Sequence, residues 1–269
     1  MKTLLIVAIA LFSIQNLHSK SAVDALKQNG LKVVLDDDES EFNSFMKELM
    51  PLYWTFSKHE FIKEKDYQSY SGSEKDFVLS KSTITVTANG AAWCSSASFL
   101  FLINKHKHIP KKSNKVEISD FTAYDFIGKE EPKGESLKAL LKTLIQQQNT
   151  YVLDIYTGSK KKTQAMSYKD LKTNYAKTSQ TEIYILAEDV IDKAFLSKST
   201  AKFKVVTEEV LRQAILGNED ILFYDYEDFN KGHSVKKVIS AKSGKVYFNI
   251  TNGKTNDKAT FKDVVKSVS

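Results

Sequence analysis

Asn89-Gly90 separates two long β-prone runs, FVLSKSTITVTA ending at Ala88 and AAWCSSASFLFLINK starting at Ala91. Both turn residues tolerate the positive φ of a type I′ turn, so the dipeptide commits about thirty residues to one antiparallel hairpin. Around that hairpin, short apolar runs alternate with helical periodicity. LKVVL (31–35), EIYIL (182–186) and FKVV (203–206) read as strands. FNSFMKELM sets Phe42, Phe45, Met46 and Leu49 at helical spacing, and SLKALLKTLIQQQN sets Leu137, Leu140, Leu141, Leu144 and Ile145 on one face. Such alternation specifies an α/β (or α+β) protein, a mixed sheet flanked by helices.

The remaining segments complete the expectation. Pro51 should end or bend the helix before it. The aromatic stretch 52–62 reads as a strand, and 64–76 as a short helix and loop. Tyr151–Tyr156 also reads as a strand. Tyr168, Leu171 and Tyr175 mark a possible short helix in the lysine-rich stretch 158–181. EDVIDKAFL and TEEVLRQAIL read as helices, the second closed by Gly217 and Asn218. DILFYDYEDF forms a strand, VKKVISAKSGKVYFNI two strands joined at Ser243-Gly244, and ATFKDVVKSV a terminal helix. Two stretches are alike in order. Lys32-Val33-Val34 leads to an acidic turn, a helix, an aromatic strand and a hairpin, and Lys204-Val205-Val206 leads through Thr207-Glu208-Glu209 to a similar series. This suggests two similar βαββ-containing halves, 20–157 and 158–269, whether as two domains or one continuous domain.

The first nineteen residues have another role. Lys2, an apolar run from Thr3 to Ile14 and the small residue Ser19 reproduce the layout of a secretory signal peptide. A run of about 12 residues is too short to cross a bilayer as a helix, which takes roughly 20. The mature chain is therefore expected outside the cytoplasm, periplasmic or secreted, with no transmembrane segment once the leader is removed. Cys94 is the one cysteine. It rules out an internal disulfide, and it lies too far from the leader to carry a lipid anchor. The core must then rest on packing, for which 42% hydrophobic residues and 16 phenylalanines suffice.

A net charge of +6 invites a nucleic-acid partner, but Arg212 is the only arginine among 39 basic residues and 33 acids are interspersed with them. Lysine lacks the bidentate fork that reads phosphates and guanine edges, so nucleic acid is excluded as the expected partner. The basic stretch Lys105–Lys115 carries His106 and His108, whose alternation would suit a metal if flanking lysines did not repel one. It reads as an exposed polar edge that could draw a polyanion weakly.

The sharpest chemical candidate is Asp36-Asp37-Asp38, following a buried strand. Carboxylates at a strand's C-terminal edge suit a divalent cation, and α/β sheets bind ligands there. Helix capping accounts for the same acids more simply. VVLDDDES also resembles the opening of a response-regulator receiver domain, but Asp76 precedes its apolar run where a receiver needs an aspartate ending one. Trp93-Cys94-Ser95-Ser96 has the outline of a thioredoxin site without the second cysteine that resolves a mixed disulfide. Cys94 as a nucleophile needs a histidine partner. His59, His106, His108 and His233 lie in no recognisable arrangement with it. Tyr53, Trp54, Phe56 and Phe61 could line a groove, as could Tyr224-Asp225-Tyr226, although both patterns fit a core. Asn249-Ile250-Thr251 matches a glycosylation sequon. No phosphate-binding loop, nucleophile elbow, HExxH motif or EF-hand loop occurs.

The strand–acid–helix start, MPLYWTFSKHEFI (50–62), EKDFVLSKSTITV (74–86), the helix ending IQQQNTYV and the segment TEIYILAEDV resemble an uncharacterised family of exported bacterial proteins of unknown function. The resemblance implies a bacterial envelope location and brings no catalytic residues. The expected function is that of an exported, non-enzymatic binding or envelope-associated protein with no cofactor, its partner a protein or envelope ligand. The alternative is a cation-dependent hydrolase-type enzyme using Asp36–Asp38.

Overall fold

The computed structural model describes residues 20–69, 76–88, 91–104, 115–117, 123–128, 131–158, 181–199, 201–229 and 233–252. The chain divides into two compact units, one formed by Phe12–Thr163 and one holding Gln164–Ser269.

In the first unit the order is α1 (Lys20–Asn29), β1 (Leu31–Leu35), α2 (Glu41–Tyr53), β2 (His59–Lys63), α3 (Glu64–Ser69), β3 (Phe77–Ala88), β4 (Ala91–Asn104), β5 (Lys115–Glu117), β6 (Ala123–Gly128) and α4 (Gly134–Tyr156). The sheet runs β2-β1-β3-β4-β6, with β5 added on β3. β1 lies parallel to both neighbours, and β3 and β4 form the antiparallel hairpin anticipated around Asn89-Gly90, Ala88 opposite Ala91. The turn residues themselves lie outside the described residues. LKVVL is almost wholly buried, as an unalternating apolar run between covered faces must be. Val33, Phe77, Leu79 and Leu102 share one core with Phe42, Met46 and Leu49 of α2 and with Leu141, Leu144 and Ile145 of α4.

Gly30 makes the passage from α1 to β1 possible. Its φ is +85°, and a Cβ there would meet the Lys58 carbonyl oxygen at 2.9 Å. A Gly30→Ala chain should lose roughly 2 kcal/mol, read as a lower Tm, because both the left-handed backbone and the close approach exclude a side chain.

Four local expectations need correction. α2 passes through Pro51 to Tyr53, because the proline falls in the last turn and the Trp54 N–H still donates to the Met50 carbonyl at 3.0 Å. The strand expected over 52–62 is shorter, His59–Lys63, since residues 54–58 form a turn held by Asn149. Tyr151–Tyr156 continues α4, a helix of 23 residues. Tyr151 and Val152 fall on the same buried face as Leu144 and Ile145, and helical packing outweighs the β-preference of aromatic and branched residues. EDVIDKAFL is broken into a 3₁₀ turn at Ala187–Asp189 and a single helical turn, α5 (Lys193–Leu196).

The second unit continues with β7 (Ile183–Leu186), α5, β8 (Phe203–Val206), α6 (Glu208–Leu216), β9 (Leu222–Phe229), β10 (His233–Ser240) and β11 (Val246–Asn252). Thr207 caps α6 by accepting from the Val210 N–H at 3.3 Å, and Asn218 leaves the helix with φ +56°. Gly244 turns β10 into β11 as the Ser243-Gly244 signal indicates. The sheet order is β11-β10-β9-β7-β8. The expected terminal helix, the basic stretch 105–114 and the segment around Tyr168 lie outside the described residues.

The two units repeat one plan. Each has a first strand between a parallel second and a parallel third, then an antiparallel fourth, then an edge strand. The Leu31 N–H donates to Lys58 and the Ile183 N–H to Lys202, both at 2.9 Å. Leu79 faces Leu102 in one sheet as Tyr224 faces Val238 in the other, all four buried. The two sheets therefore share a strand order, but not in the register in which Lys204–Val206 answers Lys32–Val34. β8 is an edge strand, and the counterpart of central β1 is β7.

Candidate functional site at the end of the first sheet

After β1 the chain builds β2 on one side and then returns to place β3 on the other. An open α/β sheet leaves a crevice at such a reversal, beyond the carboxyl ends of its strands. β1 stops at Leu35 while β3 runs on to Ala88. In their common register Lys81 is level with that last residue of β1.

Asp36 is the first residue past β1. Its Oδ2 accepts from the Ser40 hydroxyl at 2.8 Å and lies 3.3 Å from Lys81 Nζ. Both oxygens of Glu131 lie 3.1 Å from the same ammonium, which stands 4.2 Å above the centre of the Phe42 ring. Lys81 is largely shielded, with 17% of its side chain exposed against 35% for Asp36 and 32% for Glu131. The partial burial strengthens these contacts beyond those of a surface ion pair.

The rest of the acidic turn is tied down by its neighbours. Asn43, fully buried, accepts from the Asp36 N–H at 2.8 Å and donates to the carbonyls of Asp36 at 3.1 Å and Asp38 at 2.7 Å. Ser40 caps α2 through the Asn43 N–H. Lys63, ending β2, donates to the carbonyls of Asp36 and Asp37 and to Glu39. Asp37 Oδ1 accepts the Lys65 N–H at 2.8 Å. Lys47 and Lys63 hold the exposed Glu39 carboxyl below its ordinary value. The Asp36 carboxylate thus serves Ser40 and Lys81, the Asp37 carboxylate the Lys65 N–H, and Asp38 is tied to Asn43 through its carbonyl. Among the described residues no group of three or more His, Cys, Asp or Glu side chains is placed to hold a metal ion.

Sequence reasoning located Asp36 but not Asn43, Lys81 or Glu131. Asn43 had a signal, a polar residue on the stripe that also carries Met46 and Met50. The other two are 45 residues beyond Asp36 and 50 beyond Lys81, brought in only by sheet pairing. Of the other candidates, Trp54 and Phe56 are core residues and Tyr224 is 1% exposed. The His59 imidazole is pushed below its usual value by burial. Cys94 lies on β4, and His106 and His108 are outside the described residues.

The equivalent reversal in the second unit has a different character. Asp189 follows β7 and faces Asp225 of β9. Burial first, then Asp225 and Glu188, push its carboxyl up to about 7. The same surroundings raise the Tyr224 hydroxyl, again chiefly through burial. On α4, burial brings the Lys142 ammonium down to about 8 beside the Tyr53 ring.

No protein-family model matches the chain, and no curated protein or solved structure matches it either. Function must be argued from the arrangement itself. A lysine held between two carboxylates, with a hydroxyl and an aromatic face beside it, offers polar recognition.

Proposed function

We propose that this is a bacterial protein exported from the cytoplasm, and that it acts by binding a protein or envelope ligand rather than by catalysis. The leader-like segment 1–19 supports export. The observation that carries the binding reading is the Asp36–Lys81–Glu131 cluster, a set of complementary charges at the position where α/β sheets take ligands. Among the described residues no helix is long and apolar enough to cross a membrane.

Fractionation with mass spectrometry tests the location. The expected product is a chain trimmed near residue 20 and recovered from the periplasm or medium; an intact chain confined to the cytosol would refute export. The cation-dependent alternative makes the opposite thermal prediction. A metal at about 100 times its Kd would stabilise the fold by roughly 2.7 kcal/mol. Millimolar Ca²⁺ or Mg²⁺ should instead leave Tm unchanged, in the parent chain and in Asp37→Asn and Asp38→Asn variants alike.

A further inference from the structure

We infer that Lys81 is the receptor of a carboxylate-binding site, and that Glu131 occupies it in cis as an autoinhibitory contact. The inference rests on the binding reading above and names the ligand class of that crevice.

Glu131 lies in the short connection between β6 and α4. Its carboxylate meets Lys81 with both oxygens at 3.1 Å, the way a carboxylate ligand would approach an ammonium. Asp36 and the Phe42 ring fix the ammonium from other directions, so its position does not depend on Glu131. Another tie of this segment among the described residues is also polar. The Gly134 N–H donates to Glu41 Oε2 at 3.0 Å, and Lys133, at the N-cap of α4, makes no side-chain capping bond. Residues 131–135 are half-buried or exposed and none joins the apolar core. Charge-dependent contacts therefore tie the described part of this strap, and a free carboxylate of similar geometry can exchange for the one at Lys81. The ligand is anionic because the group it replaces is a carboxylate; a cation would meet Lys81 directly.

Hydrogen exchange on the full chain tests this, with acetate as the probe. Glu131→Ala should speed exchange at the Gly134–Leu137 amides about tenfold while Val33 and Leu79 on the central strands stay slow. In the parent chain, sodium acetate at about 100 mM should speed exchange at the same amides toward the variant value by displacing Glu131, where sodium chloride of equal ionic strength does not. Glu131→Gln, which keeps the shape and drops the charge, should behave as the alanine variant does without acetate. Unchanged strap exchange in both variants would overturn the inference, as would a uniform rise across the first unit, or chloride acting as well as acetate. These readouts need no exported product, so a failure of the export reading is seen separately.

Discussion

Replacing Asn43 with alanine is expected to cost the first unit about 3 kcal/mol, the largest loss from any single polar side chain near the crevice. The side chain is fully buried, and it satisfies one backbone N–H and two backbone carbonyls of the acidic turn. Each buried group left without a partner costs roughly 1–3 kcal/mol, and a partial collapse of the turn recovers some of the sum. The Asn43 N–H bond to Ser40 survives the substitution, so α2 keeps its cap. The loss should therefore appear as a lower urea midpoint with unchanged helix content. Asn43→Asp is the informative companion, since it keeps the acceptor for the Asp36 N–H and removes both donors. Because it also turns a buried carboxylate toward the Asp36 and Asp38 carbonyl oxygens, at neutral pH it should be at least as destabilised as the alanine variant. An alanine variant within about 0.5 kcal/mol of the parent, the range of ordinary surface substitutions, would mean that Asn43 does not organise this turn.

The contrast between Asn43 and Lys81 indicates how much the sequence could reveal. Local chemistry was legible. Asn-Gly fixed the β3–β4 hairpin, Gly217 and Asn218 the end of α6, and the apolar run LKVVL a strand buried on both faces. Misreadings arose where local preference and packing disagree. Tyr151–Tyr156 carries β-preferring side chains, yet its spacing continues the face of Leu144 and Ile145, with no glycine or proline to stop the helix. The repeat was visible as a pattern but misaligned, because Lys-Val-Val recurs in a central strand and in an edge strand. Only pairing partners distinguish them, and these are set by contacts distant in sequence. The Asp36–Lys81–Glu131 cluster shows the same division. Asp36 could be placed at a strand end from its own neighbours, while Lys81 and Glu131 join it only through the return of β3 and the start of α4.

The second unit should grow less stable as pH rises from about 4 to 7, and Asp189→Asn should abolish that decline. Asp189 titrates near 3.8 in an unfolded chain and is raised to about 7 in the folded one, first by burial and then by Asp225 and Glu188. Between those values the unfolded state has released its proton and the native state still holds it. The native state then binds more protons, so stability is full below the lower value and is lost as pH climbs through the upper one. A shift of this size corresponds to about 4 kcal/mol at most, and the partial exposure of the carboxyl reduces it to roughly 2 kcal/mol. Asparagine mimics the protonated acid, so the variant should match the parent near pH 4 and exceed it by about 2 kcal/mol near pH 8. The groups facing Asp189 are Glu188 on its own turn and Asp225 and Tyr224 on β9. Asp225→Asn, which removes the nearest like charge, should end the decline at a lower pH and make it smaller without removing it, since burial remains the larger cause. Urea titrations followed by near-ultraviolet circular dichroism at several pH values read the whole series. Parallel curves for the parent and Asp189→Asn across this range would show that the carboxyl is ionised at neutral pH, its charge balanced within the fold.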